Sequence, residues 1–174
     1  MTNFNEMWSG LQQPGNSLPF MLIDCAGIEG GAAQIPRYIF SEVQCLFVGN
    51  LATELADVGP YLGQLQSFSA DVARTVQNLL AKHAGMLVLI GDKPKDGVYP
   101  SFSHVYRHFR KCNLVTGPDG EQLFFRYYDP RVLMQAMQAF DAEQLKELFG
   151  PVGSFVVFES NKEFRRFSNP KSTN

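Results

Sequence analysis

Charge is the scarcest commodity in this chain. Only 18% of its 174 residues are Asp, Glu, Lys or Arg, against roughly a quarter in ordinary globular proteins. The formal net charge is −2. A near-neutral chain offers no electrostatic attraction to nucleic acid or to an anionic membrane surface, and neither is expected as a partner. Cysteine is scarce and odd in number, with Cys25, Cys45 and Cys112. No pair has metal-ligand spacing, so reduced thiols in a cytosol-like compartment are expected, with no metal or other cofactor. The start of the chain lacks the basic and then apolar regions of a signal peptide. No apolar run approaches the roughly 20 residues that cross a bilayer, and no internal repeat is present.

Apolar side chains are plentiful. Hydrophobic residues make up 45%, including 15 Phe beside a single Trp. A chain of this length forms one domain with a substantial core. A surplus of aromatics serves either that core or an interface. Residues 1–19 read as a leader or short helix packed by Met7, Trp8 and Leu11. Residues 20–160 read as the globular domain. Residues 161–174, with Lys162, Arg165, Arg166 and Lys171 against Glu163, read as a basic, flexible tail.

Within the domain, Phe20 to Ile23 is a buried strand closed by Asp24. Gln44 to Val48 is a second strand, and Tyr61 to Leu65 follows the Gly59-Pro60 turn as a third. Val72, Val76, Leu79 and Leu80 share one face of a helix capped by Ser69. Met86 to Ile90 is a buried strand, and a loop from Asp92 to Pro100 leads to a helix over 101–111. Arg107, His108, Arg110 and Lys111 gather in that helix's last turns, where cations suit the helix dipole. A hairpin turns through Gly117-Pro118-Asp119-Gly120. Asp141 and Gln144 form a capping box for a short helix stopped by Gly150-Pro151. Ser154 to Phe158 reads as the last strand. The fold class expected is α/β (α+β mixed), a single domain with a mixed central β-sheet flanked by helices.

The stretch from Leu123 to Arg131 packs a strand, a turn and a helix start into nine residues. Aromatic and aliphatic residues to Tyr128 suit a buried strand. Pro130 stops it and opens a helix, which places Asp129 as the N-cap. On such a strand Phe124, Arg126 and Tyr128 share a face. The Arg126 guanidinium must then stack on those rings, pair with a carboxylate or reach solvent.

Candidate chemistry is thin. Gly27, Gly30 and Gly31 follow a strand as a phosphate-binding turn does, but neither dinucleotide nor P-loop spacing is present. Cys25 with a histidine is formally a nucleophile and base, yet no nucleophile signature surrounds it, and an inert core thiol is expected. His104 and His108 lie four apart on a helix. A third metal ligand is missing, so a solvated or partner-facing pair is expected. Asp24, Arg126 and Asp129 have structural duties as strand-end turn, ion pair and cap. No catalytic set emerges.

The run Phe124-Phe125-Arg126-Tyr127-Tyr128-Asp129-Pro130-Arg131-Val132-Leu133 resembles the "fRfyDPRvl" signature of type VI secretion effector adaptors, the Tap/Tec chaperones long catalogued as a domain of unknown function. Leu22 to Ala26 resembles that family's "LLDGA", with Cys25 in place of Gly. Gly59 to Leu62, His108 to Lys111, Pro118 to Gly120 and Gln144 to Pro151 resemble further family steps in order, so the likeness covers roughly 20–160. Many members continue into a helical C-terminal lobe, whereas this chain stops soon after the strand expected to be its last. The resemblance implies a cytoplasmic, bacterial, non-enzymatic adaptor that binds an effector toxin and helps load it onto the VgrG spike. It singles out Asp24, Pro60, His108, Arg110, Arg126, Tyr128, Asp129, Pro130 and Arg131 as partner-binding or structural positions. Alternatives are a small cysteine hydrolase or nucleotide-binding domain using the Cys25–Gly31 turn, or a toxin-neutralising binding protein.

Overall fold

Phe20–Asp24, strand β1, is buried at all five positions and lies inside the sheet, between two neighbouring strands. The computed structural model describes residues 3–13, 16–91, 98–117, 119–159 and 163–170. Around β1 the chain runs α1 (Phe4–Leu11), β1, β2 (Phe40–Cys45), α2 (Asn50–Glu54), β3 (Pro60–Leu65), α3 (Ala70–Ala81) and β4 (Gly85–Leu89). It continues with α4 (Phe102–Cys112), β5 (Leu114–Thr116), β6 (Gln122–Phe124), α5 (Pro130–Ala139), α6 (Ala142–Phe149), β7 (Ser154–Phe158) and β8 (Phe164–Ser168). Six strands form one sheet in the order β2-β3-β1-β4-β7-β8, and β5 and β6 form a separate ribbon.

Side chains alternate across a strand, and here both sheet faces are covered. Met21 and Ile23 of β1, with Leu87 and Leu89 of β4, pack under Phe4 and Trp8 of α1 and Val72, Val76 and Leu80 of α3. Phe20, Leu22, Met86 and Val88 point the other way, against Val105 and Phe109 of α4, Leu133 of α5 and Phe149 of α6. Covering both faces explains why the inner strands are continuous apolar runs rather than alternating ones. The result is a mixed α/β domain, as expected. Each ladder is antiparallel, so of the two forms anticipated the strand directions are those of α+β.

Three stretches differ from the sequence reading. The second strand begins at Phe40 and ends at Cys45, not Val48. It is an edge strand with Ser41, Glu42 and Gln44 largely solvated, so its apolar signal is weak. The apolar Leu46 and Phe47 beyond it are buried in a turn, where the Leu46 N–H donates to Pro60 O at 2.8 Å. The strand at 154–158 is followed by another, β8, within the stretch expected to be a flexible tail. Its Phe164 is buried, Arg166 Nε donates to Ser154 Oγ at 2.9 Å, and Arg165 pairs with Glu159 at 3.1 Å. Arg165 and Arg166, two of the charges that suggested a solvated tail, belong to a strand at the edge of the sheet. The tail positions 161, 162 and 171–174, positions 92–97 of the expected loop, and Pro118 lie outside the described residues.

The third difference is the Leu123–Tyr128 stretch. Its strand stops at Phe124 and is exposed along its length. Burial begins only at the turn, where Tyr127 and Tyr128 enter the core.

Candidate functional site

Asp24 ends β1 and is fully buried. Its Oδ1 accepts the Ala26 N–H at 3.2 Å, capping a 3-10 turn over Cys25–Gly27. Its Oδ2 accepts from Arg126 Nη2 at 2.7 Å. Burial raises the Asp24 carboxyl above its ordinary value, against the charge and hydrogen bond of Arg126. Arg126 reaches it from the turn before α5 and lies 5.9 Å from the Tyr128 ring centroid. Among the described residues that is its one aromatic neighbour in cation–π range. Phe124 turns away and meets Phe47 edge-on at 6.2 Å. Arg126 thus stacks and pairs at once while its side chain stays half exposed.

Asp129 is the N-cap of α5, its Oδ1 accepting the Arg131 N–H at 3.0 Å, with Pro130 in the first turn. Arg131 folds back on the same carboxylate, Nε to Oδ1 at 2.9 Å and Nη2 to Oδ2 at 2.8 Å. That fork is the bidentate geometry of strong Arg–carboxylate pairs. Arg126 Nη2 lies 3.7 Å from Asp129 Oδ2. Burial raises the Asp129 carboxyl, but the Arg131 bonds and both guanidinium charges outweigh it and hold it below its usual value. Two carboxylates and two guanidinium groups therefore neutralise one another at the corner where β1 meets α5. Tyr127 anchors this corner from below, its hydroxyl donating to Phe109 O at 2.7 Å and its ring stacked on Phe109.

The remaining expected positions have internal duties. Pro60 opens β3 opposite Asp24, a strand-start position where a missing N–H is tolerated. His108 is half-buried and lines a groove beside α4: its Nε2 meets Leu148 O at 2.9 Å, and burial lowers its ring below the ordinary histidine value. His104, four residues away, is exposed. Among the described residues no three His, Cys, Asp or Glu side chains gather as a metal-binding group. Arg110 is exposed, with its guanidinium 5.7 Å from the Tyr106 ring. The Tyr106 hydroxyl donates to Cys45 O at 2.8 Å.

The Cys25–Gly31 turn holds a buried thiol and a partly engaged backbone. Cys25 is fully buried, and burial pushes its thiol up to about 12, far from a thiolate at neutral pH. Several of its amides are already spent. Gly31 N donates to Ile28 O at 2.9 Å and Ala32 N to Asp57 O at 2.8 Å. A Cβ on Gly31 would sit 2.3 Å from Asp57 O, so no ligand space lies over it.

What the sequence reading missed is the outer surface of the β5–β6 ribbon. Leu114, Val115, Leu123 and Phe124 are all exposed, Phe124 by 58%. Val48, Leu55 and Val58 are exposed on the segment around Phe47, whose ring touches Phe124. On the other side of the ribbon a groove of about 640 Å³ opens between α4, β5 and the α5–α6 junction. Its lining includes Lys111, Cys112, Val115, Phe140, Glu147 and Leu148. A three-residue hairpin apolar on both faces was the available signal, because a ribbon that short cannot bury both.

Residues 19–147 match the family described as "Domain of unknown function (DUF4123)". The chain belongs to that family. The match takes in β1, the Asp24–Arg126 corner and the ribbon, and ends inside α6. No curated protein and no solved structure matches the chain. Among the described residues no helix is long and apolar enough to cross a membrane.

Proposed function

We propose that this member of the family is a cytoplasmic, non-enzymatic adaptor that binds a type VI secretion effector and helps load it onto the VgrG spike. The observation that carries the reading is the exposed apolar ribbon. Large hydrophobic side chains collected at one place on a surface favour a protein partner. The signature residues support it indirectly. Arg126, Asp129 and Arg131 are consumed in holding the corner from which the ribbon and α5 depart, so their role is to present the surface rather than to contact the partner.

Against the enzyme alternative, the Cys25 thiol is buried and several amides of the Cys25–Gly31 turn are engaged. The reading is tested by co-expressing the tagged chain with the products encoded beside its gene, followed by size-exclusion chromatography. Co-elution with a toxin-like product, and ternary co-elution with a spike protein, is the expected result. A stable complex in which the toxin stays inhibited and no spike is recruited would instead make the chain a neutralising protein. Absence of any complex would refute the adaptor role.

A further inference from the structure

The ribbon has a bare edge. β5 and β6 pair with each other, in the register Leu114 to Phe124, Val115 to Leu123 and Thr116 to Gln122. Gly117 N donates to Glu121 O at 2.8 Å and Phe125 N to Asn113 O at 3.0 Å. Bonded and non-bonded pairs alternate along an antiparallel ladder. The Val115–Leu123 pair therefore holds the internal bonds, and the backbone groups of Leu114 and Thr116 point away from β6. Among the described residues none of these outward groups has a hydrogen-bond partner.

That edge borders the groove, which Leu114, Val115 and Thr116 help to line. The α4 wall is basic and the α6 side is acidic. Lys111 lines the groove from α4, which also holds His104, Arg107 and Arg110 but no carboxylate, and Glu147 lines it from α6. Among the described residues no carboxylate lies within ion-pair distance of Arg107, Arg110 or Lys111. The floor is apolar, with Phe125, Phe140 and Leu148.

We propose that the outward edge of β5 and this groove receive an extended segment of a partner protein. The segment adds a third strand to the ribbon, directs alternate apolar side chains into the groove, and carries carboxylates toward Lys111 and its α4 neighbours. Strand addition draws its affinity from main-chain bonds and its specificity from pockets for alternate side chains. A helix satisfies its own backbone and would leave the Leu114 and Thr116 groups unmet. The unpaired cations of α4 select for acid where the segment passes α4, and Glu147 disfavours it on the α6 side. This inference rests on the reading of the chain as a partner-binding protein, and not on the partner's being a secreted effector.

The test pans the full chain against a display library of short random peptides. Enriched peptides are expected to alternate apolar residues and to contain Asp or Glu. Bound to the chain, they should slow amide exchange at Leu114 and Thr116 and leave Val115 and Leu123 unchanged. Thr116→Pro deletes an outward N–H without touching the internal ladder, and should weaken binding about fivefold. Lys111→Glu, at an exposed position, should weaken it by a similar factor, about fivefold, and keeps the test open if the proline variant does not fold. No enrichment, enrichment of basic or helical peptides, or affinities indifferent to Lys111→Glu would overturn the inference. An effector complex unaffected by both substitutions would overturn this docking face while leaving the adaptor role intact. Acidic strand-forming peptides selected by a chain that binds no neighbouring gene product would do the reverse.

Discussion

Arg126 Nη2 lies 2.7 Å from Asp24 Oδ2, tying together two residues 102 positions apart in the chain. The bond closes the corner between β1 and the turn into α5, and its two ends are unlike. The carboxylate is fully buried, whereas the guanidinium is half exposed. Removing the outer partner strands the inner one.

Arg126→Ala is accordingly expected to cost about 2–3 kcal/mol at neutral pH, since it leaves a buried carboxylate without its cation. The Asp24 carboxyl already titrates above its ordinary value through burial. A raised carboxyl contributes stability that is present below the unfolded value and lost as pH rises through the folded one. The variant should therefore lose less at pH 4 than at pH 7, and adding Asp24→Asn should recover part of the loss. Urea melts of the single and double variants decide it, and strictly additive losses would show that the pair is uncoupled.

Asp129 has the opposite sign. Its folded carboxyl lies below the ordinary value, so its contribution is present above about pH 4 and is lost as pH falls through the folded value. Asp129→Ala should cost about 1–2 kcal/mol at pH 7, from the lost cap and the lost Arg131 fork. The difference in melting temperature from the native protein should hold from pH 7 to pH 5 and shrink below pH 4. A difference that stays constant to pH 2.5 would exclude the charged cap as its source.

Gly150 follows α6 at φ +49°, and a Cβ there would lie 2.3 Å from the His108 ring. Gly150→Ala should destabilise by about 1–2 kcal/mol, through left-handed backbone strain and displacement of His108 from Leu148 O. In the native protein His108 should protonate at lower pH than a free histidine, because burial disfavours its cation. Stability should therefore decline as pH falls below about 6.5. Imidazole resonances followed by NMR check this directly, and a His108 midpoint at or above the free value would contradict the buried placement.

Phe124 is exposed and reaches Phe47 only by its edge. Phe124→Ser should shift stability by no more than about 0.5 kcal/mol, yet sharply reduce co-elution of the partner. Retained co-elution would move the binding surface away from the ribbon.

Legibility in the sequence followed burial. β1 and β4 were plain because both their faces are covered and their residues are uniformly apolar. The caps at Ser69, Asp129 and Asp141 were plain because capping is local chemistry. β2 and β8 were obscure because an edge strand is half solvated: Glu42 and Gln44 diluted one, Arg165 and Arg166 disguised the other. Arg126 was expected to need a carboxylate, but nothing local names Asp24, which only the sheet brings near. The ribbon was misjudged for the same reason in reverse. Leu123 and Phe124 have the residue types of a core strand, and only tertiary structure reveals that nothing covers them.

Every bond that β7 gives to β4, and β8 to β7, comes from residues beyond the 147 at which the family likeness ends. The shared region is therefore smaller than the folding unit. A fragment trimmed to 19–147 would lose Phe155 and Val157 from one core and Phe4, Trp8 and Val156 from the other. It would also leave the ladder edge of Leu87, Val88 and Leu89 open to any passing chain. Borders drawn for expression should follow the hydrogen-bonded sheet, because a cut at the border of likeness converts an inner strand into a sticky one.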